Sequence, residues 1–154
     1  MSPLRLAPNG HDVLTPPFTQ TWADDFRHAI NSDLAYREAG RAWTWPIALV
    51  LDDGAPVGLV GPVALELTLE HGICRTARII SPDACTAPFV FRAPYGEWKR
   101  IMQGEVEAVH AVVQGRVQLS GNMAAIITHA RSITALVRCA RAVPTDFPSD
   151  TVVA

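Results

Sequence analysis

Residues 63–80 carry the pattern that most restricts the fold. Val63, Leu65, Leu67 and Leu69 alternate with Ala64, Glu66, Thr68 and Glu70. Successive side chains of a strand point to opposite faces, so this segment is a strand with one apolar face and one half-solvated face. His71-Gly72 follows and predicts a two-residue hairpin turn, with glycine supplying the positive φ. Residues 73–80 return as the partner strand. Their alternation is poor, and Arg75 and Arg78 interrupt it, which predicts a sheet edge. A joint this short has no room for the crossover that parallel strands require, so a doubly wound parallel sheet is excluded here.

The other elements follow from spacing. Residues 47–51, Ile-Ala-Leu-Val-Leu, form a strand closed by Asp52-Asp53-Gly54, and Phe89-Val90-Phe91 forms another, ended by Pro94. Phe18, Trp22, Phe26, Ala29 and Ile30 recur at helical spacing and predict an amphipathic helix packed on the sheet, with Asp24 and Asp25 between them. Residues 35–45 suggest a short turn of helix leading into a strand. After Tyr95, one helix places Trp98, Ile101 and Met102 on a face and ends at Gly104. The next places Val106, Val109 and Val113 on a face and ends at Gly115. Glycine suits the left-handed position just past a helix end, because it has no Cβ to clash there. Val117 and Leu119 give the last strand an apolar side. Met123, Ile126, Ile127 and Ala130 then form one helical stripe, and Ile133, Leu136, Val137 and Ala140 another. The two are rotated by very roughly 80°, which predicts a break with Ser132 as N-cap. Strands in hairpin order with helices after them make an α+β layer.

Length and composition remove several classes of function. The 154 residues suit one domain, expected over 18–147, with tails at 1–17 and 148–154. A hydrophobic fraction of 49% against 18% charged residues permits a real core and leaves material for a lined cavity. The net charge of −2 and the absence of a basic stripe interleaved with aromatics argue against nucleic acid. No apolar run approaches the roughly 20 residues that span a bilayer, and the N-terminus lacks an apolar export core. The expectation is a soluble cytoplasmic protein. Transient membrane contact through Arg131, Arg138 and Arg141 is weighed against a simple solvated face, which the net charge favours.

Catalytic chemistry finds no support. There is no Gly-x-Ser-x-Gly elbow, no Gly-x-Gly-x-x-Gly and no phosphate loop. Glu107 and His110 alone stand at helical ligand spacing, where a surface contact is the better account than a metal site. Cys74, Cys85 and Cys139 are odd in number and far apart, so free buried thiols in a reducing compartment are expected. Cys139 lies on an arginine-rich helix, where cations lower a thiol pKa, but no second thiol accompanies it. No metal, no cofactor and no enzymatic activity are expected.

The order of motifs resembles the sterol carrier protein type-2 family of lipid-binding domains. The resemblance is carried by Trp98, the Gly104 joint, the Val109 to Val113 apolar patch, and Gly115-Arg116-Val117-Gln118-Leu119-Ser120-Gly121-Asn122. Trp22, Trp43 and the Phe89-Val90-Phe91 strand fall upstream in the expected order. The likeness covers roughly residues 18–147. It implies a mainly antiparallel sheet of about five strands, covered on one side by about five helices, with an apolar tunnel between the sheet and the C-terminal helices. By position, the lining comes from Leu65, Leu67 and Leu69, then Phe89 and Phe91, then Trp98, Ile101 and Met102. Val109, Val113, Val117 and Leu119 continue it, and the two stripes of the last helical segment, Met123, Ile126, Ile127 and Leu136 among them, complete it.

The implied activity is non-enzymatic binding or transfer of a hydrophobic small molecule, a fatty acyl chain before a sterol, by a monomer or homodimer. Burying ten methylenes offers roughly 8 kcal/mol before ordering costs, which brings micromolar affinity within reach. The same residues would be present in a filled core. A module that docks a partner or a second copy through an apolar helix face, and a small enzyme with a hydrophobic substrate, are the rival expectations.

Overall fold

The computed structural model describes residues 14–148. The elements run α1 (Gln20–Asn31), α2 (Leu34–Ala39), β1 (Ile47–Leu51), β2 (Val63–Glu70), β3 (Ile73–Ile80), β4 (Phe89–Ala93), α3 (Tyr95–Met102), α4 (Ala108–Val113), β5 (Gln118–Ser120), α5 (Met123–Thr128) and α6 (Ala130–Ala142). They make an α+β fold. The sheet order is β3-β2-β1-β4-β5, so β3 is an edge, as its poor alternation predicts. Every neighbouring pair is antiparallel except β1 and β4, which run parallel. The sheet is therefore mixed.

Register assigns the two faces. Ile47, Leu49 and Leu51 pair with Leu67, Leu65 and Val63 on one side and with Phe89, Phe91 and Ala93 on the other. These residues share the face on which the helices lie. Glu66, Thr68, Thr76, Arg78, Arg92 and Gln118 share the opposite face, where Arg78 reaches Glu66 at 2.8 Å and Arg92 reaches Asp52 at 3.1 Å.

The hairpin joint has both φ values positive, +52° at His71 and +84° at Gly72, the turn whose twist suits flanking strands. Gly72 is required twice over, since a Cβ there would stand 2.4 Å from the Arg37 carbonyl oxygen of α2. The poor alternation of β3 has a local cause. Thr68 pairs with Thr76 and Leu69 with Cys74, so Arg75 is a bulged residue without a partner opposite. The bulge shifts the phase, and both Ala77 and Cys74 are buried.

Three expectations about the helices need correction. The break in the last helical segment exists but falls at His129, not Ser132, which is buried in the first turn of α6. The His129 N–H ends α5 on the Ala125 carbonyl at 2.9 Å, and no side chain caps α6. Asp25, placed among polar positions of α1, is 1% exposed. Finally, α4 starts only at Ala108, so Val106 lies before it and the apolar phase is set by Ala108, Ala111 and Val112.

Residues 143–148 are more than periphery. Thr145 forms a parallel bridge with Thr15, the Asp146 N–H donates to the Thr15 carbonyl at 2.9 Å, and Trp22 Nε1 donates to Thr145 Oγ1 at 2.8 Å. Thr15 lies before residue 18 and Thr145 before residue 147, so the pairing joins the segment ahead of α1 to the segment after α6. No helix among the described residues is long and apolar enough to cross a membrane.

All three cysteines are free. Burial pushes the Cys74 thiol up to about 12. Burial also raises Cys139, and the Asp33 carboxylate, 3.0 Å from its sulfur, raises it further, outweighing Arg138. The arginine-activated thiol is therefore reversed in sign. Asp33 itself is held below the usual carboxylate range, chiefly by the hydrogen bond from Cys139 and then by the Tyr36 and Ala35 N–H groups, against the upward pull of burial. A thiol reagent such as DTNB at pH 8 is expected to modify Cys85, which is half-buried, and to reach Cys74 and Cys139 only after denaturation. Rapid reaction of more than one thiol in the folded protein would contradict this account.

Candidate functional site

A cavity lies between the helix-covered face of the sheet and four of the helices. Its floor is Ile47 and Leu49 of β1 with Phe91 of β4, the two central parallel strands. Phe26 of α1 closes one side. Trp98, Ile101 and Met102 of α3 close another, joined by Ala108 and Val112 of α4 and by Val117. The roof is Ile133, Leu136, Val137 and Ala140 of α6. The wall turns no polar atom toward the space. It holds about 540 Å³ not occupied by atoms, mouth included, of which about 50 Å³ is wide enough for the centre of a water molecule. The cavity is narrow.

Local sequence explains each wall. In α3 the pair Trp98 and Met102 and the pair Trp98 and Ile101 stand at i,i+4 and i,i+3, so one face of the helix meets the strands. Trp98 is fixed by its indole N–H, which donates to the Val50 carbonyl at 2.9 Å. In α6, Ile133, Leu136, Val137 and Ala140 are one stripe at the same spacing. Small residues stand where bulk would close the space: Ala108 on one side and Ala140 on the other.

Leu49 is the telling position. It is the middle residue of the central strand, on the helix-covered face, yet its burial is only partial while Ile47 and Leu51 are 1% and 0% exposed. A central core position stays accessible only if nothing sits on it. Val137 and Ala108, across the cavity, are likewise half-buried.

Of the lining residues expected from sequence, Phe91, Trp98, Ile101, Met102 and Val117 come together in this wall with Ile133, Leu136, Val137 and Ala140 of the second stripe. The others lie elsewhere. Leu65, Leu67 and Leu69 belong to β2 and are fully packed at 0%, 0% and 2% exposure. Phe89 packs against Trp43, with ring centres 5.0 Å apart, and against Trp45 at 5.9 Å. Leu119 is half-buried opposite Phe91 on β5. Val109 is half-buried and Val113 is 61% exposed, because the late start of α4 turns Ala108 and Val112 inward instead. In α5, Ile126 is buried, while Met123 and Ile127 are 38% and 56% exposed. That helix ends at His129, whose ring lies 5.2 Å from Trp43 and 5.9 Å from Trp45.

Phe26, Ile47, Leu49, Ala108 and Val112 are wall residues not among those expected. Sequence spacing places most of them on inward faces, but an inward face does not show whether its partner touches it. The available signal was Ala108, a small residue set among large apolar ones.

A mixed five-stranded sheet roofed by helices, with a cavity of apolar side chains between the layers, defines a class of small α+β domain. No protein-family model and no curated protein sequence matches this chain. Solved structures do. The crystal structure of sterol carrier protein 2 superposes with a TM-score of 0.77 at 32% identity, covering 82% of this chain and 98% of that one. The solution structure of a Thermus thermophilus protein, described as possibly a sterol carrier protein, gives 0.77 at 29% identity, covering 87% and 97%. The sterol carrier protein domain 2 of Helicoverpa armigera, at 14% identity and a TM-score of 0.53 over 84% of this chain and 94% of that one, shares the fold. The chain belongs to the sterol carrier protein 2 family.

Proposed function

We propose that this chain is a non-enzymatic carrier that binds a hydrophobic small molecule in the cavity between the sheet and α3, α4 and α6. The observation that carries the proposal is Leu49, left accessible on the floor of an otherwise closed core and faced only by apolar side chains. Membership of a family named for sterol carriage supports the same direction. The wall offers an apolar ligand dispersion contact and release from water, and little else is needed for affinity.

The width of the space favours an acyl chain over a sterol. A flexible chain adds one narrow methylene at a time and threads between side chains that shift by rotamer. A fused ring system must enter whole. Met102 in the wall helps, because a thioether side chain adapts to what it packs against. The wall presents no nucleophile, acid or base to a ligand, which supports carriage over chemistry.

Titration with saturated fatty acids of increasing length, by displacement of a fluorescent acyl probe, tests this. Affinity is expected to rise about fourfold per added methylene, from about 0.8 kcal/mol each, until the cavity is full. A sterol is expected to displace the probe more weakly. Absence of uptake for every chain length, together with a ligand-free dimer in native mass spectrometry, would favour instead a docking module using exposed Met123 and Ile127 of α5.

A further inference from the structure

A second recess adjoins the cavity, and its character is different. It is lined by Met102, Ala140, Arg141, Val143, Thr145 and Phe147, with about 400 Å³ of unfilled space, mouth included. Met102 and Ala140 belong to both walls. These two side chains are thus the partition between an apolar cavity and a polar recess.

Arg141 is the charge in that recess. Its Nε–H donates to the Ile101 carbonyl at 3.2 Å, which fixes the guanidinium over the C-terminal end of α3. The other N–H donors of the group remain, and no carboxylate among the described residues pairs with them. The contrast with the neighbouring cations is informative. Arg100 and Arg116 flank the buried Glu97 at 3.8 Å each, and Arg138 meets Asp33 at 3.3 Å. The Thr145 hydroxyl is already engaged, donating to the Val143 carbonyl at 2.7 Å while accepting from Trp22 Nε1. The recess therefore presents an anion with one fixed guanidinium.

We infer that Arg141 is a head-group anchor, and that the ligand is a single-chain amphiphile ending in a carboxylate. The chain fills the apolar cavity, passes the Met102–Ala140 partition, and places its carboxylate on Arg141. The inference rests on the carrier function proposed above. A guanidinium suits this role, because its paired N–H groups match the two oxygens of a carboxylate. The partition needs no backbone movement, since Met102 has an unbranched side chain with several rotatable bonds. Capping of α3 alone would explain the Ile101 contact, but it would give no preference among ligands.

The test compares lauric acid with 1-dodecanol at pH 8 and low salt, on the wild type, Arg141→Gln and Arg141→Lys. Wild type is expected to bind the acid about fivefold more tightly than the alcohol, the modest margin reflecting the exposure of Arg141 and shrinking in high salt. Arg141→Gln is expected to bring acid and alcohol level by weakening the acid alone, and Arg141→Lys to restore part of the difference. Alcohol binding also certifies that each variant keeps its cavity. Equal binding of acid and alcohol by wild type, or an equal loss of both in Arg141→Gln, would overturn the anchor and leave the carrier standing. Failure of wild type to bind either ligand would overturn both.

Discussion

Ala108→Phe is expected to lower affinity for a fatty acid by on the order of 100-fold while leaving the fold intact. Ala108 opens α4 and faces the cavity across from Leu49, where it is half-buried. A phenyl ring at this position has open space before it rather than packed neighbours, so the usual penalty for overfilling a core does not apply. The ring occupies room that about four methylenes of a ligand would use, about 3 kcal/mol at 0.8 kcal/mol each. Thermal unfolding is expected at the wild-type temperature or somewhat above it, because a void has been filled. The two measurements belong together. Loss of binding at unchanged stability places the ligand in this cavity, whereas unchanged binding would put it somewhere else on the molecule.

Trp43→Ala is expected to be the most destabilising single change, by about 3–5 kcal/mol. Trp43 is 1% exposed and lies within 5.2 Å, ring centre to ring centre, of Trp45, Phe89 and His129. Its indole N–H donates to the Trp45 carbonyl at 2.7 Å, and its own carbonyl accepts from the His71 N–H at 2.9 Å, tying the segment before β1 to the hairpin tip. Removal leaves a large cavity and an unpaired carbonyl, and frees the His129 joint between α5 and α6. A loss of that size is a large part of the roughly 5–15 kcal/mol that holds a domain folded, and would lower Tm by about 10–20 °C. A scanning calorimetry shift below about 5 °C would mean that the aromatic cluster is peripheral to stability.

The contrast between these two positions explains what could be read from the chain. The hairpin was legible because period-two alternation and a glycine at the turn leave one solution, and β3 was blurred because the Arg75 bulge breaks its period. The α5–α6 break announced itself through two stripes out of phase. Its position did not, because Ser132, with a good capping side chain, is buried inside the helix while uncapped His129 makes the joint. In α4 the valines 106, 109 and 113 keep perfect helical spacing, yet the helix begins after the first of them. The family resemblance brought the correct layers together and nine of the wall residues with them. It also set the leucines of β2 in the wall, because an apolar face looks the same under packed side chains as under empty space. Ala108 was a hint, and a small residue becomes informative only once the opposing wall is known.

The bulge at Arg75 has one more consequence. The surplus residue is absorbed within the bulge, so Cys74 stands opposite Leu69 and faces inward despite the odd spacing from Ala77. Excision of Arg75 would leave Thr76 opposite Thr68 and Cys74 opposite Leu69, with plain period-two alternation between them. The tip of the hairpin thus has room to lose a letter without changing which side chains it buries.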